Sequence, residues 1–320
     1  MTSTSPPQFP PGTAYIDGAF VPLSEARLPI LDWGFLRSDA TYDVVHVWKE
    51  RFFRLDAHLD RFFRNVERMH MELPVGRPEL SAILAECVHR SGLEDSYVEM
   101  ICTRGMSPTL SRDPRDAVNQ LIAFAMPFGW IADEKQRAQG LRARIAQTVT
   151  RIPPDSVDPT VKNYHWLDLV MGMYEAYEHD AEVVILCDKA GNVTEGPGFN
   201  LFALIDGHLK TPAAGVLQGI TRKTVMDLCD EIGLTVDQVT LATDQFTAAD
   251  EVFATSTAGG VMPVTEIDGS AVADGKVGEI TRRVADLYWA KHDDPAWSTG
   301  VEELLPGPRL VSDSKVTETA

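Results

Sequence analysis

Two-residue turn signals constrain this chain most. Asp17-Gly18 splits the apolar runs of AYIDGAFVPL, and Asp206-Gly207 splits those of GFNLFALIDGHLKT. An Asp-Gly pair adopts the backbone a tight hairpin needs, so each site predicts two antiparallel strands. ATYDVVHVWKERFFRL predicts a third pair around Lys49-Glu50-Arg51. Helical patterns follow in their own runs. In AHLDRFFRNVERMHMEL, Leu59, Phe62, Phe63, Val66 and Met69 recur at helical spacing, with Asp56 as the expected N-cap. Pro78 opens a second helix and Gly92 closes it. Strands are expected around 97–103 and 121–126. Runs of strands and helices, without strict alternation, predict an α+β first half.

PFGWIADEKQ, 127–136, reads as a connection between two domains. Beyond it come a strand in LRARIAQTVT, a helix from about 165 to 178 and a buried strand in EVVILCD. ITRKTVMDLCDEIG is a helix after Gly219, and DEVFATST is a strand ending at Ala258-Gly259-Gly260. A last amphipathic helix is expected over about 278–291. The organisation is a small domain over 13–128, a connection at 129–136 and a larger domain over 137–292. Residues 1–12 and 293–320 lack a sustained period and are expected to be poorly ordered or loosely docked tails.

The formal net charge of −18 repels phosphate backbones and anionic lipid, which argues against nucleic acid or a membrane surface as partner. No apolar run reaches the length of a membrane span, and MTSTSPPQFPPG lacks the regions of a signal peptide. Cys87, Cys102, Cys187 and Cys229 form no CxxC pair and sit in apolar stretches, as buried free thiols of a reducing cytoplasm would. No metal site is expected. GxxxxGK[ST], GxGxxG after a strand, HExxH, a Cys/His cluster and GxSxG are all missing.

Four separated features remain. Lys162 in DPTVKNYHW lies at a turn entering a helix, beside Tyr164 and Trp166. Desolvation there disfavours an ammonium and favours the neutral amine that a Schiff base with an aldehyde requires; alone, the residue also reads as a snorkelling surface lysine. Glu195 in TEGPGFN is boxed in by Gly and Pro, so it is either a turn residue or a fixed carboxylate able to hold a proton on a heterocyclic nitrogen. Gly219-Ile220-Thr221 opens a helix, which makes an anion site or an ordinary cap by Thr221. Ser256-Thr257-Ala258-Gly259-Gly260 closes a strand with hydroxyls and small residues that admit a phosphate or simply turn the chain. Together these are what a protein supplies to pyridoxal 5′-phosphate.

Over residues 14–292 the sequence resembles the fold-type IV pyridoxal-phosphate enzymes, the branched-chain and D-amino-acid aminotransferase superfamily. The matching segments are GFLRSDATYDV, FFRLDAHLDRF, DPTVKNYHWLDL, TEGPGFN, GVLQGITRKTV and STAGGVMPV. Among these enzymes it looks most like the (R)-selective amine:pyruvate transaminases. The resemblance implies a two-domain α+β fold: a small N-terminal α/β sandwich domain and a larger C-terminal β-barrel-like domain with flanking helices. It also implies a homodimer with active sites near the subunit interface. Lys162 matches the Schiff-base lysine that also moves the substrate proton, and Glu195 the carboxylate on the pyridine nitrogen. Arg61, Ile220, Thr221 and Thr257, beside Ser256, match phosphate contacts. Leu217 matches the residue packed on the ring, with Phe199 and Asn200 near it. Tyr42, Tyr97, Trp166 and Ala258 match pocket positions.

Departures from the family pattern bear on the substrate. Branched-chain enzymes carry a basic residue shortly after the tyrosine of YVEM, where this chain has Glu99. D-amino-acid enzymes carry RxH after TRG, where this chain reads TRGMSPTLSRDPRD. Both changes remove charges that would hold a donor carboxylate, which implies a primary amine donor, (R)-configured by resemblance, and pyruvate or another 2-oxo acid as acceptor. The loop arginine that binds the acceptor carboxylate in some members aligns with Leu110. Arg112, with Arg115 close by, or Arg37 is the expected substitute. The alternatives are a branched-chain or D-amino-acid aminotransferase, an aminodeoxychorismate lyase-like enzyme, and a binding protein that has kept the fold without turnover. The presence of both Lys162 and Glu195 argues against the last.

Overall fold

In the computed structural model, which describes residues 9–306, Asp17 and Gly18 have φ of +52° and +77°. They join β1 (Thr13–Ile16) to β2 (Ala19–Pro22) as the turn signal predicts. β3 (Ala40–Trp48) returns as β4 (Arg51–Phe53) through Lys49 and Glu50, both left-handed at φ +50° and +58° without being glycine. That backbone costs about 1–2 kcal/mol per residue. Hydrogen bonds offset it: Lys49 N–H donates to Asp95 Oδ1 (2.8 Å), Glu50 N–H to Glu94 O (2.9 Å), and Glu50 O accepts from Val301 N–H (2.9 Å).

β5 (Ser96–Met106) and β6 (Val118–Pro127) lie between these hairpins, giving the order β4-β3-β5-β6-β1-β2. Short helix α1 (Trp33–Arg37) precedes β3. Helices α2 (Leu55–Arg68) and α3 (Arg77–Ser91) cover the sheet, packing Leu59, Phe62, Leu80 and Leu84 against Val45, Val98 and Met100. Gly92 ends α3 at φ +67°. The expected cap of α2 is corrected. Arg54 is the N-cap, and Asp56 stands in the first turn, bound to Arg77 (2.9 Å) while still favoured by the helix dipole.

The second sheet is built from β7 (Leu141–Ile145), β8 (Val183–Ile185), β9 (Asn200–Ile205), β10 (His208–Pro212), β11 (Val236–Val239), β12 (Glu251–Ser256) and β13 (Gly260–Ile267). Their order is β11-β10-β9-β12-β13-β7-β8, with β14 (Ser270–Ala271) on β13. Asp206 and Gly207 turn the β9–β10 hairpin at φ +54° and +78°. Helix α4 (Glu134–Gln139) begins inside the expected connection. α5 (Leu167–Glu178) packs near β8, α6 (Ile220–Glu231) and α8 (Glu279–Ala290) sandwich Phe202 and Phe253, and α7 (Thr243–Thr247) leads into β12. Two sheets with flanking helices form the expected fold-type IV α+β architecture. The four cysteines are buried and free.

The expected C-terminal tail is corrected for its described part. β15 (Ser298–Gly300) pairs with β4 and covers the edge of the first sheet, and α9 (Val301–Leu304) buries Val301 in that sheet's core. The segment is too short for a legible period, so its docking depends on the edge it meets. Residues 1–8 and 307–320, the remainder of both expected tails, lie outside the described residues.

His46 of β3 and His292, just after α8, meet in the joint between the halves with their Nε2 atoms 2.7 Å apart. His292 Nδ1–H donates to Tyr288 O (3.0 Å), so its Nε2 accepts from His46 Nε2–H. Burial pushes both rings down, His292 to about 4, so both are neutral when folded. Between the unfolded value of 6.5 and about 4 the unfolded chain binds more protons, and this contribution to stability is lost as pH falls. Each such proton steepens the dependence by about 1.4 kcal/mol per pH unit. His292→Gln is expected to shrink the fall in melting temperature between about pH 7 and about pH 5. An unchanged fall would rule out this source.

Candidate active site

Lys162 lies in the irregular stretch before α5, yet β3 of the other half holds it. Its carbonyl accepts from Tyr42 N–H (3.2 Å) and Thr41 Oγ1 (2.7 Å). The Nζ sits 4.3 Å from the Tyr42 ring centroid, and among the described residues it forms no ion pair. Asp158, the nearest acid in sequence, is bound to Arg68 and Thr160 instead. Tyr42 stacks on Tyr164 (4.2 Å), whose hydroxyl donates to Glu99.

Glu195 is placed by a miniature hairpin. Gly196 and Phe199 exchange backbone hydrogen bonds of 3.2 and 3.3 Å around Pro197 and Gly198, the latter at φ +79°. A side chain on Gly196 would strike the Phe199 ring. The Glu195 carboxylate is buried and accepts from Arg151 Nε (3.1 Å), Leu217 N–H (2.9 Å) and Asn200 Nδ2 (3.3 Å). Burial pushes its carboxyl up, while Arg151 and the Leu217 amide pull it down. Such a group can hold a proton shared with a ring nitrogen. Arg151, also paired with Asp168 of α5 (2.7 Å), was missed by sequence reasoning. Its one available signal is that a buried carboxylate needs a counter-charge, and the partner lies 44 residues away.

The N-terminus of α6 is an open anion site. Gly219 is its N-cap without a side-chain cap, so the first amide N–H groups are unclaimed, and Thr221 stands inside the helix rather than capping it. A Cβ on Gly219 would lie 2.1 Å from Asn200 Oδ1, so glycine is required. Arg61 of α2 reaches the same place, with Nη1 donating to Gln218 O (3.0 Å). The turn at Thr257 and Ala258 links β12 to β13, and Ala258 O accepts from Ile131 N–H of the inter-sheet connection (2.9 Å).

One cavity of 540 Å³ collects these groups. Lys162, Glu195, Arg61, Phe199, Asn200, Leu217, Ile220, Thr221, Ser256 and Thr257 all line it, as do the pocket residues Tyr42, Tyr97, Trp166 and Ala258. Arg37, Glu99 and Arg112 do not. Arg37 lies over the Trp33 ring (3.5 Å) and Arg112 is exposed, both away from this cavity. Glu99 is buried behind Tyr97 and Tyr164. The donor set fits pyridoxal 5′-phosphate: an unpaired lysine, a fixed carboxylate and a helix end flanked by arginine. The buried Thr255 hydroxyl on the cavity wall also has no hydrogen-bond partner among the described residues.

The family model described as Amino-transferase class IV matches residues 40–267. The chain is 32% identical to a putative branched-chain-amino-acid aminotransferase of Methanocaldococcus jannaschii over 86% of this chain and 94% of the relative. It is 30% identical to a D-alanine aminotransferase of Bacillus licheniformis, over 84% and 93% of the two chains. A branched-chain aminotransferase of Thermoproteus uzoniensis with norvaline superposes with a TM-score of 0.83 at 27% identity, over 91% of this chain and 99% of that one. A second branched-chain amino acid aminotransferase, from T.th. and solved with pyridoxamine 5′-phosphate, superposes with a TM-score of 0.85, also at 27% identity, over 92% and 100%. The family model spans most of the chain and the relatives cover more of it, so the chain belongs to the class IV amino-transferases, fold-type IV enzymes whose cofactor is pyridoxal 5′-phosphate.

Proposed function

We propose that this aminotransferase takes its amino group from a primary amine, (R)-configured, and passes it to pyruvate or another 2-oxo acid in a ping-pong reaction. The observation carrying the choice of donor is Glu99. It occupies the sequence position at which the branched-chain enzymes carry a basic residue, and it is buried and held by the hydroxyls of Tyr164 and Tyr97. In either protonation state it offers no positive charge. Apart from Lys162, the basic residues lining the cavity among the described residues are engaged, Arg61 with Asp43 and Arg151 with Glu195 and Asp168.

The bound cofactor supplies an electron sink for the charge left when the donor loses its Cα proton. Lys162 Nζ is the group we assign to move that proton, and the missing ion pair leaves its amine available. Glu195 holds the ring-nitrogen proton. Arg61, the α6 amides and the hydroxyls of Thr221, Ser256 and Thr257 orient the phosphate. Leu217 and Phe199 exclude water from the ring, Asn200 braces Glu195, and Trp166, Tyr42, Tyr97 and Ala258 shape the donor space.

We further propose a homodimer. α5 exposes Leu167, Val170, Met171, Tyr174 and Tyr177, and the loop leading into α1 exposes Leu28, Ile30 and Leu31. An apolar surface of that extent favours burial against a second copy. Arg37 and Arg112, exposed on one protomer, then serve the acceptor carboxylate across that interface. We also propose domain limits at 13–128, 129–136 and 137–292, supported by β1–β6 lying in the first sheet and β7–β14 in the second, with β15 returning to the first from beyond residue 292. Among the described residues no helix is long and apolar enough to cross a membrane. Four buried free thiols support a cytoplasmic location.

A second reading, an amino-acid aminotransferase, is favoured by the relatives, which are named for branched-chain amino acids and D-alanine. A donor panel decides between them: both enantiomers of an arylalkylamine beside branched-chain and D-amino acids, with pyruvate as acceptor. Rapid loss of the cofactor's visible absorbance with the (R)-amine, restored by pyruvate, is expected. Bleaching by amino acids alone would establish the second reading. In the same assay, Arg37→Ala or Arg112→Ala should raise the apparent KM for pyruvate; no change in either would refute the acceptor assignment.

A further inference from the structure

We infer that Asp43 is a positioning residue for cofactor binding, acting through Arg61 to present two fixed N–H groups to the phosphate. The inference rests on the placement of the phosphate at Arg61 and α6 proposed above.

Strand periodicity puts Asp43 where it can do this. Tyr42 and Val44 line the cavity, while Asp43 between them points to the opposite side of β3, toward α2. His58 and Arg61 stand three residues apart on α2 and share one face. The Asp43 carboxylate is fully buried, and both oxygens are occupied. Oδ1 accepts from Val44 N–H, His58 Nδ1 and Arg61 Nη2, each at 2.8 Å, and Oδ2 accepts from Arg61 Nε at 2.7 Å.

A guanidinium has five N–H donors. Asp43 takes two along one edge and Gln218 O takes a third. One N–H on each Nη remains, and Arg61 reaches the cavity. The arginine is thus clamped before any ligand arrives. A free arginine side chain loses rotamer freedom when immobilised; here folding has already imposed that loss, so binding does not. The charges of Asp43 and Arg61 cancel. Phosphate is therefore recognised by directed N–H groups and the α6 terminus more than by net positive charge. His58 fixes the carboxylate in turn, and burial keeps its ring neutral, as a donor through Nδ1.

The test is the pair of dissociation constants for pyridoxal 5′-phosphate and for pyridoxal, measured by titrating the full chain after the cofactor has been stripped. Wild type should hold the phosphorylated form more tightly. Asp43→Asn should weaken that form about tenfold or more while leaving pyridoxal within about twofold. Equal weakening of both, or of neither, overturns the inference. If circular dichroism shows that Asp43→Asn does not fold, Asp43→Glu replaces it. That variant keeps the buried charge but shifts the carboxylate by one methylene, and the same selective loss is expected, with equal losses again fatal. A wild type that binds the two forms alike would refute the phosphate placement itself, and this inference with it.

Discussion

Lys162→Ala is expected to lower transamination by at least about 10³-fold while leaving the fold intact. The two outcomes separate because the residue does separate things. Its backbone carbonyl ties the segment to β3 through Tyr42 N–H and Thr41 Oγ1, and alanine keeps that carbonyl. Its side chain is half-buried, forms no ion pair among the described residues and lies over the Tyr42 ring. Removing it forfeits a cation–π contact of about 0.5–1 kcal/mol. Chemistry loses the only lysine lining the cavity among the described residues. Single-turnover spectroscopy with an amine reads the first effect and thermal unfolding the second. A variant that turns over at near wild-type rate would return Lys162 to the status of a surface lysine. A variant that fails to fold would show the side chain to be structural.

Glu195→Gln should be the second most damaging change, with kcat falling about 10²- to 10⁴-fold. Glutamine keeps the shape and can still accept from Leu217 N–H, but it cannot stabilise a proton on a ring nitrogen by charge. The substitution also leaves Arg151 with Asp168 as its one carboxylate partner among the described residues. Because that second ion pair remains, the stability loss should fall below the roughly 3–5 kcal/mol typical of orphaning a buried charge. Turnover and unfolding midpoint measured on the same preparation check both halves. Loss of stability with normal turnover would make Glu195 a structural counter-ion for Arg151.

Much of the site was legible because local backbone chemistry carries it. Gly196 and Gly198 around Pro197 dictate a miniature turn, and that turn sets the backbone position of Glu195. Gly219 ahead of Ile220 marks the start of a helix, while the structure decides that Thr221 does not cap it. The Asp-Gly hairpins follow from φ preferences that two residues set for themselves. By contrast, Asp43 carries no local mark. It is the one acid in β3, and its meaning comes from α2 lying across that strand. Arg151 is equally silent, since its partner is far along the chain. The hairpin through Lys49 and Glu50 forms without glycine because Glu94, Asp95 and Val301 supply hydrogen bonds from elsewhere. The segment around β15 reads as a polar tail and becomes a strand only beside the open edge of β4.

By itself the sequence determined most of the helices and strands, the Asp-Gly turns between them and which residue types stand ready for the cofactor. These properties depend on interactions within a few residues of chain: torsional preference, periodic burial and unclaimed helix amides. Tertiary structure alone decided which charges meet. It clamped Arg61 with Asp43, balanced Glu195 with Arg151, set Glu99 behind two tyrosines, and carried Arg37 and Arg112 away from the cavity of their own protomer. Coulomb and hydrogen-bond energies depend on distance in space and on burial. Both are properties of the packed sheets, and neither is encoded in the spacing of residues along a strand.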